Sequence, residues 1–313
     1  MTENLSIIDH IIYEGMSVGM KALVRISGGT GNQFFQIGFG NFLSEQFGFV
    51  VTYDVSFFKL APDVSTPRIF QGETIFPIGK YEDHGIFRIE KLRAVINTLQ
   101  VPKIFKRVLW SIILAKRLIF NRQILHYSFN QSAVMSLFGR YFTHVYIGDW
   151  QNFRFVTKEF ISSVNYQLSC RSDVSHLDDS IDFIGIHVRR GDYLDMNSIH
   201  QVLGSSYYEK AICLLVQKDS TLRILVFSDD ESGAGDLLNC DREIVFASSL
   251  VNDDLDQVYL MSKMRYLVIA NSSFSLMAAL LGERSNSVIA PSTWFVKSHH
   301  MNGPPLPSHW EII

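Results

Sequence analysis

The segment DFIGIHVRRGDY, at residues 182–193, decides the fold of the C-terminal half of the chain. Its apolar run continues to Val188 and then gives way to charged residues and a glycine, a pattern that predicts a buried strand followed by a turn. Four similar runs follow: RILVFS (223–228), EIVFA (243–247), YLVIA (266–270) and SVIAP (287–291). Segments with helical spacing separate them, so we predict a doubly wound parallel sheet.

The segments between these strands are amphipathic. In SSYYEKAICLLVQK (205–218), the large apolar residues fall on one helical face: Tyr208, Ala211, Ile212 and Leu215. Two later helices are predicted to follow the capping residues Asp253 and Ser272. In such sheets ligands bind beyond the carboxyl ends of the strands, so the residues that follow each strand are the candidates for a site.

The N-terminal half begins with a similar pattern. KALVRIS (21–27) is a strand-like run, GGTGN (28–32) breaks the chain, and apolar residues then recur at helical spacing up to Gly48. FVVTYD (49–54) follows as a second strand, which completes a βαβ unit. Residues 60–90 carry several turn signals and little periodicity, which predicts irregular structure.

The length of the chain and these patterns predict two domains. The 313 residues suffice for two mid-sized domains, each with its own core. We predict an N-terminal α/β domain over 20–175 and a C-terminal Rossmann-like domain over 176–313. Because Met20 directly precedes the first strand, two interpretations of residues 1–19 stay open: an N-terminal extension, or an upstream start that the fold does not need. The opening residues lack the basic start and continuous apolar run of a secretory signal, and the apolar runs elsewhere are too short to span a bilayer.

The charge and the cysteines exclude some classes of partner and site. The chain carries 28 Lys and Arg against 31 Asp and Glu, a net charge of -3, so it has no global basic field that would hold nucleic acid. Its three cysteines, Cys170, Cys213 and Cys240, show neither CxxC spacing nor histidines at ligand intervals. We therefore expect a cytoplasmic protein without a cysteine metal site.

The turn after the strand at 182–188 has the composition of an anion site. His187 is followed by Arg189 and Arg190, then by a glycine and Asp192. Guanidinium groups bind phosphate oxygens bidentately, and a nearby carboxylate can hold one of them in place. An ordinary Arg–Asp ion pair on a loop is the alternative.

Two other strands also end in polar residues. FSDD (227–230) places Asp229 and Asp230 where they would accept hydrogen bonds from sugar hydroxyls or a purine edge, or would cap the next helix. NSSFS (271–275) leads into an apolar helix, whose first N–H groups and serine hydroxyls are suited to an anion. Because the serine turn and the arginines face the same crevice, together they predict a diphosphate site.

The glycine turn GGTGN resembles the phosphate turns of dinucleotide-binding proteins only in part. It lacks the GxGxxG order and a P-loop lysine. We therefore expect neither a redox nor an ATP-dependent role.

Six motifs, in this order and spacing, resemble the α1,2-fucosyltransferases of glycosyltransferase family 11. They are GGTGNQFFQ (28–36), HVRRGDY (187–193), FSDD (227–230), YLMS (259–262), IANSSFS (269–275) and VIAPSTWF (288–295). The resemblance implies a GT-B-like architecture of two Rossmann-like domains. It also implies an inverting transfer of L-fucose from GDP-β-L-fucose to the 2-hydroxyl of a galactose, in O-antigen or capsule synthesis.

The resemblance also implies roles for individual residues. Arg189 would clamp the β-phosphate, Arg190 and Asp192 would shape the loop, and Asn32 would face the reacting bond. Ser273 and Ser275 would cradle the diphosphate. With the residues that the strand ends and the glycine turn supply, the predicted donor-binding set comprises Gly29, Gly31, His187, Arg190, Asp229, Asp230, Asn271, Ser272, Ser273 and Ser275. For His187, simple packing at the strand end is the alternative. The catalytic set comprises Arg189, Asn32 and Asp192.

Neither a metal ion nor another cofactor is expected. Arginines and a helix N-terminus can stabilise a leaving diphosphate without a metal. Asp254-Leu255-Asp256 has the spelling of a metal-binding DxD motif, but it stands at the start of a helical pattern, where acidic residues stabilise the helix dipole. The residue that deprotonates the acceptor stays open, with Asp54 and Asp149 as the acidic candidates.

Residues 91–123 form a local basic segment with eight Lys or Arg and no Asp or Glu. Two helix-like blocks meet near Pro102. One interpretation is a solvated helical hairpin that covers the N-terminal domain. The other is a peripheral contact with anionic lipid at the cytoplasmic face of the inner membrane, where a lipid-linked, galactose-terminated acceptor would reside.

Three functions remain open from the sequence. The first is the inverting fucosyltransferase. The second is a transferase that uses another GDP-hexose, which the phosphate elements alone do not exclude. The third is a non-catalytic protein that binds a nucleotide sugar.

Overall fold

A computed structural model of the chain describes residues 19–60, 68–127, 141–171, 183–195, 198–218, 223–238, 242–251, 253–282, 287–296 and 303–313. The chain forms two compact units, Met1–Trp150 and Gln151–Ile313. The predicted boundary at 175/176 and most of the extension at 1–19 lie outside the described residues. The helix at Lys158–Arg171 belongs to the second unit, whereas the predicted boundary assigned it to the first.

The first unit is a five-stranded parallel sheet with helices between its strands. Its elements are β1 (Lys21–Arg25), α1 (Thr30–Phe47), β2 (Val50–Asp54), α2 (Ser56–Leu60), α3 (Gly72–Ile75), β3 (Tyr81–Glu82), α4 (Ile86–Thr98), α5 (Lys103–Asn121), β4 (Gln123–His126) and β5 (Thr143–Tyr146). The strand order is β3-β2-β1-β5-β4. The central strand β1 thus pairs with β2 on one side and β5 on the other.

The second unit has the strand order of a Rossmann domain. Its elements are α6 (Lys158–Arg171), β6 (Phe183–Val188), α7 (Gly191–Asp195), α8 (Ser205–Val216), β7 (Arg223–Ser228), α9 (Glu231–Leu237), β8 (Ile244–Phe246), α10 (Asp254–Ser262), β9 (Tyr266–Val268), α11 (Ser273–Leu281), β10 (Ser287–Ala290) and β11 (Glu311–Ile312). The order is β11-β10-β9-β6-β7-β8, and the registered pairs are parallel. This order is the doubly wound 3-2-1-4-5-6 arrangement.

The predicted fold class is therefore confirmed in its two Rossmann-like α/β units. The five predicted C-terminal strands are present, and the predicted apolar face of α8 is buried: Tyr208, Ala211, Ile212 and Leu215. These side chains pack against the core of the second unit. The elements α2, β4, β5, α6, α7 and β11 were not predicted. The prediction of irregular structure over 60–90 was wrong for α3, β3 and the first residues of α4, which are too short or too weakly periodic there to give a signal.

Helix geometry at the two predicted caps also follows the sequence. The carboxylate of Asp253 accepts a hydrogen bond from the N–H of Leu255 at 2.8 Å, and the hydroxyl of Ser272 accepts one from the N–H of Phe274 at 3.3 Å. In the described part of the chain, none of the helices has the length and apolar character needed to cross a membrane.

Candidate functional site

The candidate site of the second unit lies where the direction of the chain connections reverses. From β6 the chain proceeds through β7 to β8 on one side, and then returns to β9 on the other side of β6. Beyond the carboxyl ends of such neighbouring strands a crevice opens, and this crevice is where doubly wound sheets bind ligands. The turn after β6 carries the two arginines, and the turn after β9 carries the serines.

Arg189 is held by two carboxylates. Its Nη2 lies 2.8 Å from Oδ1 of Asp192, and its Nη1 lies 3.0 Å from Oδ2 of Asp229. Its Nε is buried and has no hydrogen-bond partner. The ring of Tyr193 lies beneath the guanidinium, 5.6 Å from the ring centre. These contacts fix the cation in orientation, which reduces the entropy that binding an anion would otherwise cost.

Asp229 organises the turn as well as the arginine. Its Oδ1 accepts hydrogen bonds from the backbone N–H groups of Arg190 at 3.0 Å and Gly191 at 3.2 Å. A Cβ at Gly191 would lie 2.6 Å from Oδ2 of Asp229, so a side chain at this position would displace the carboxylate. Sequence reasoning assigned Asp229 to a ligand or to a helix cap and missed this positioning role.

Arg190 has its own carboxylate partner. Its Nε donates to Oδ2 of Asp230 at 3.2 Å, and Oδ1 of Asp230 accepts from the N–H of Gly233 at 3.0 Å as the cap of α9. These hydrogen bonds lower the pKa of Asp230. A Cβ at Gly233 would meet Oδ2 of Asp230 and would lie 2.8 Å from Nε of Arg190. The structure thus shows Asp230 as a helix cap. In the sequence, Gly233 is the residue that indicates this close approach of the Asp230 carboxylate and Arg190 to the backbone of α9.

The serines after β9 differ in accessibility. Ser272 caps α11 and Ser273 is its first residue, with a half-buried side chain. Ser275 is fully buried, and its hydroxyl donates to the carbonyls of Ala270 at 3.3 Å and Ser272 at 3.4 Å. The structure therefore leaves the N-terminal amides of α11 and Ser273 at the turn, while Ser275 faces the interior.

Two further predicted site residues are buried beside these turns. His187 is almost fully buried, and burial and then the charge of Arg189 lower its pKa to about 3. Its Nδ1 has no hydrogen-bond partner. Asn271 donates through Nδ2 to the carbonyls of Gln201 and Trp294, each at 2.8 Å, and its own carbonyl accepts from the hydroxyl of Tyr193 at 2.9 Å. Asn271 thus joins the turns around the crevice, whereas His187 lies buried and neutral at the end of β6.

In the first unit, the glycine turn is held by neutral side chains. Gly28 has a φ of +77°, and a Cβ there would lie 2.8 Å from Nδ2 of Asn32. Gln33 is fully buried and donates to the carbonyl of Ile69 at 2.8 Å. Gln36, also fully buried, accepts from the N–H of Ser27 at 2.8 Å. In the sequence, two glutamines within an otherwise apolar helix indicate that these side chains bind backbone groups in the interior. Gly29 caps α1 and Gly31 lies in its first turn.

Of the two acceptor-base candidates, Asp54 is internal. It is fully buried, and its oxygens accept from the N–H of His84 and the hydroxyl of Ser56, both at 2.6 Å. This geometry favours the structural interpretation of Asp54. Asp149 is exposed beyond the end of β5.

Sequence reasoning missed a third carboxylate in the first unit, Glu90 on α4. Its Oε2 lies 3.2 Å from Nε of Arg25, the last residue of β1, and Nη1 of Arg25 donates to the hydroxyl of Ser27. The pKa of Glu90 is raised: burial is the largest cause, the charge of Arg25 opposes it, and the charges of Asp149 and Asp54 add to it. Glu90 and Asp149 thus lie near the carboxyl ends of β1 and β5, the reversal point of this sheet.

Asp254 and Asp256 lie in the first turn of α10, as predicted. Arg171 pairs with the capping Asp253 at 2.7 Å and with Asp256 at 3.5 Å. Among the residues that the structure describes, no three or more His, Cys, Asp or Glu side chains cluster in a way that could hold a metal ion.

Comparison with known proteins decides the family. Residues 137–305, more than half of the chain, match the sequence profile described as Glycosyl transferase family 11. The chain belongs to this family. The predicted family is thus confirmed, and the match includes all of the strand-end residues of the second unit that are described above.

Two curated relatives and one solved structure are similar to this family 11 chain. An alpha-1,2-colitosyltransferase of Escherichia coli is 26% identical over 310 residues, which is 93% of this chain and 98% of that protein. The O-antigen biosynthesis glycosyltransferase WbnK, also of Escherichia coli, is 35% identical over 115 residues, 35% of this chain and 38% of that protein. Fucosyltransferase NodZ from Bradyrhizobium has a TM-score of 0.45 and 12% identity, over 84% of this chain and 92% of that one. The fold assignment rests on the two sheets themselves.

Proposed function

We propose that this family 11 glycosyltransferase moves L-fucose from GDP-β-L-fucose to the 2-hydroxyl of a β-galactoside, with inversion, in the synthesis of O-antigen or another surface polysaccharide. The observation that carries the proposal is the position of two anion-binding elements on the two strands that flank the reversal point. Arg189 and Arg190 follow β6, and the N-terminus of α11 follows β9. A diphosphate in this crevice would meet both.

The chemistry of the leaving group accounts for these elements. When the bond between the anomeric carbon and the β-phosphate oxygen breaks, negative charge accumulates on GDP. Preorganised cations and helix N-terminal amides stabilise such a charge more strongly than water does. In this proposal Arg189 binds the β-phosphate, while Asp192 and Asp229 hold the guanidinium of Arg189 in place. The second unit is accordingly the donor domain, and no metal is required.

On the acceptor side we assign Glu90 as the base. The acceptor hydroxyl gives its proton to the carboxylate of Glu90, its oxygen bonds to the anomeric carbon, and GDP leaves from the opposite face of the sugar. A carboxylate whose pKa is raised toward neutrality suits this step, because a stronger base accepts the proton more readily. Asp149 remains the alternative, and Asn32 keeps the catalytic role that the family resemblance gives it.

A second donor is favoured by one observation. The relative that spans nearly the whole chain is named a colitosyltransferase, and colitose is L-fucose without its 3-hydroxyl. A site that hydrogen-bonds the 3-hydroxyl would discriminate strongly against colitose, whereas an apolar site would not. Donor choice therefore depends on that one hydroxyl.

The test measures GDP release from GDP-fucose, GDP-colitose and GDP-mannose with lactose or Galβ1,3GalNAc, against a control without acceptor. We expect acceptor-dependent release from GDP-fucose in EDTA. If only GDP-colitose releases GDP, the donor is GDP-colitose and not GDP-fucose. If GDP is released only when Mn²⁺ is added, the proposed metal independence is contradicted. A rise in melting temperature with GDP-fucose but no release with these acceptors would indicate either a different acceptor or a non-catalytic binding protein.

A further inference from the structure

Helix α5 has an unusual exposure for a helix of a globular protein. It contains nineteen residues, all of them described by the structure, and none of them is buried. A helix on a globular protein normally buries its apolar stripe against the core. In α5 the side that contacts the unit is formed by Trp110, which packs beside a core cluster of the first unit, and by the half-buried Ile113 and Leu114.

The opposite side of α5 is apolar. Ile104, Val108, Ile112 and Ile119 recur at spacings of four, four and seven residues, so they form one row along the helix. Their exposed fractions are 61, 50, 60 and 68%. Phe105 and Phe120, near the two ends, are 59 and 77% exposed and extend this row. An apolar row of this length on a surface indicates an interaction site.

The charges around this row are of one sign. Residues 91–123 carry eight Lys or Arg and no acidic residue, whereas the remainder of the chain has 20 Lys or Arg against 31 Asp or Glu. The segment is thus +8 and the remainder -11. On α5 the cations Lys103 and Arg107 lie on one side of the row, and Lys116, four residues after Ile112, lies on its other edge near Phe120. All three are exposed.

We propose that α5 lies in the surface of an anionic lipid bilayer, with the apolar row (Ile104, Val108, Ile112 and Ile119) among the acyl chains and the flanking cations at the phosphate groups. A helix with one apolar side and a basic border is the form in which proteins bind such interfaces. An anionic surface attracts the segment of +8 and repels the remainder of -11, so the charges favour contact through this segment.

A second copy of this chain is a poorer occupant of the same row. Two copies related by a twofold axis through α5 would bring two segments of +8 together without an acidic residue in either segment. Like charges in close contact oppose association. An anionic lipid surface supplies both the apolar phase and the opposite charge.

The test is co-sedimentation of the full chain with vesicles, without donor or acceptor, so it is independent of the proposed sugar transfer. Phosphatidylcholine vesicles are compared with vesicles of phosphatidylcholine and phosphatidylglycerol. We expect sedimentation with the anionic vesicles only, and a decrease as salt is added, because salt screens charges at the surface. Equal sedimentation with both vesicles, or none with either, would overturn the proposal.

Two double variants test whether vesicle binding depends on the apolar row itself or on any exposed apolar residue. Ile112→Glu with Ile119→Glu should weaken vesicle binding by roughly a hundredfold, since each buried isoleucine contributes about tenfold. The matched control is Ile69→Glu with Ile78→Glu, at isoleucines that are 71 and 84% exposed elsewhere in the first unit. Equal loss in both pairs would contradict the proposal.

A second set tests the charges and the alternative occupant. Lys103, Lys106 and Arg107 changed to Glu should abolish sedimentation, while Lys21, Lys158 and Lys210 changed to Glu, with the same net charge, should retain most of it. Light scattering measures the mass of the wild type and of the Ile112 and Ile119 variant. A dimer that the variant dissociates would assign the row to a second copy and overturn the lipid proposal.

Discussion

The turns after the central strands of the two units are built in different ways. After β1, the buried side chains of Gln33 and Gln36 hold a glycine turn through neutral hydrogen bonds to the backbone of Gly28 and Ser27. After β6, Asp192 and Asp229 hold Arg189, and Asp229 also holds the backbone of its turn. Both turns contain glycines at a sheet's reversal point. Arginines lie near the first turn as well, since Arg25 pairs with Glu90 at the end of β1 and Arg68 lies beside Gly29, but only in the second turn are the arginines part of the turn itself. A glycine-rich turn by itself therefore does not indicate where phosphate binds.

Of the variants that test this difference between the two turns, Arg189→Ala is expected to lower activity the most. Removing one preorganised donor to a leaving anion costs on the order of 10² to 10³ in rate, so kcat/KM should fall by that factor. Steady-state kinetics with GDP-fucose measures it. The matched control is Arg265→Ala, an exposed arginine just before β9, at the opposite end of that strand from the serine turn. An equal loss in the control would contradict the assignment.

The first unit is tested by Glu90→Gln. If Glu90 is the base, kcat should fall by about a hundredfold while the KM for the donor changes little. The acid limb of the pH–rate profile should also disappear. Asp149→Asn is the companion variant: its negative charge raises the pKa of Glu90, so its removal should move the acid limb to lower pH. A wild-type profile in Glu90→Gln would leave Asp149 as the base.

Gly191→Ala sharpens the role of the carboxylates. The new Cβ would lie 2.6 Å from Oδ2 of Asp229, so the carboxylate that binds Arg189 must move. We expect roughly tenfold lower kcat/KM, because the arginine is displaced and not removed. Gly204→Ala is the control, since a Cβ there meets nothing within 4 Å. Similar kinetics in both variants would show that the Asp229 contact has no influence.

The smallest expected effect concerns stability and pH. The folded pKa of His187 is about 3, so the folded protein leaves it neutral while the unfolded chain protonates it below about pH 6.5. Its contribution is therefore present above pH 6.5 and is lost as the pH falls, by roughly 1.5 kcal/mol between pH 6.5 and 5. Urea unfolding of His187→Leu should show a shallower loss over this window. If the free energy of unfolding depends on pH in the same way in the wild type and the variant, His187 is protonated in the folded state over this pH window.

Sequence patterns were sufficient for the strands of the second unit because buried parallel strands are continuous apolar runs bounded by polar turns. They also placed the arginines and serines, since those residues directly follow strands. The partners of Arg189 were harder to assign. Asp229 is forty residues away along the chain, and only the pairing of β6 with β7 brings it close.

The missed elements have a physical reason as well. β4 contains Gln123 and His126, and β5 contains Thr143 and His144, so neither reads as a continuous apolar run. Glu90 resembles any helical surface glutamate in the sequence. Its proximity to Arg25 follows from the packing of α4 beside β1, which local periodicity does not encode.

The most direct measurement is the ratio of the affinities for GDP and GMP, by calorimetry, in the wild type and in Arg189→Ala. GMP lacks the β-phosphate, so this ratio isolates the contact on which the proposed function depends. The proposed clamp predicts that GDP binds the wild type at least about tenfold more tightly than GMP, and that Arg189→Ala removes most of this preference while GMP affinity stays the same. An unchanged ratio in the variant would contradict the assignment of Arg189 to the β-phosphate.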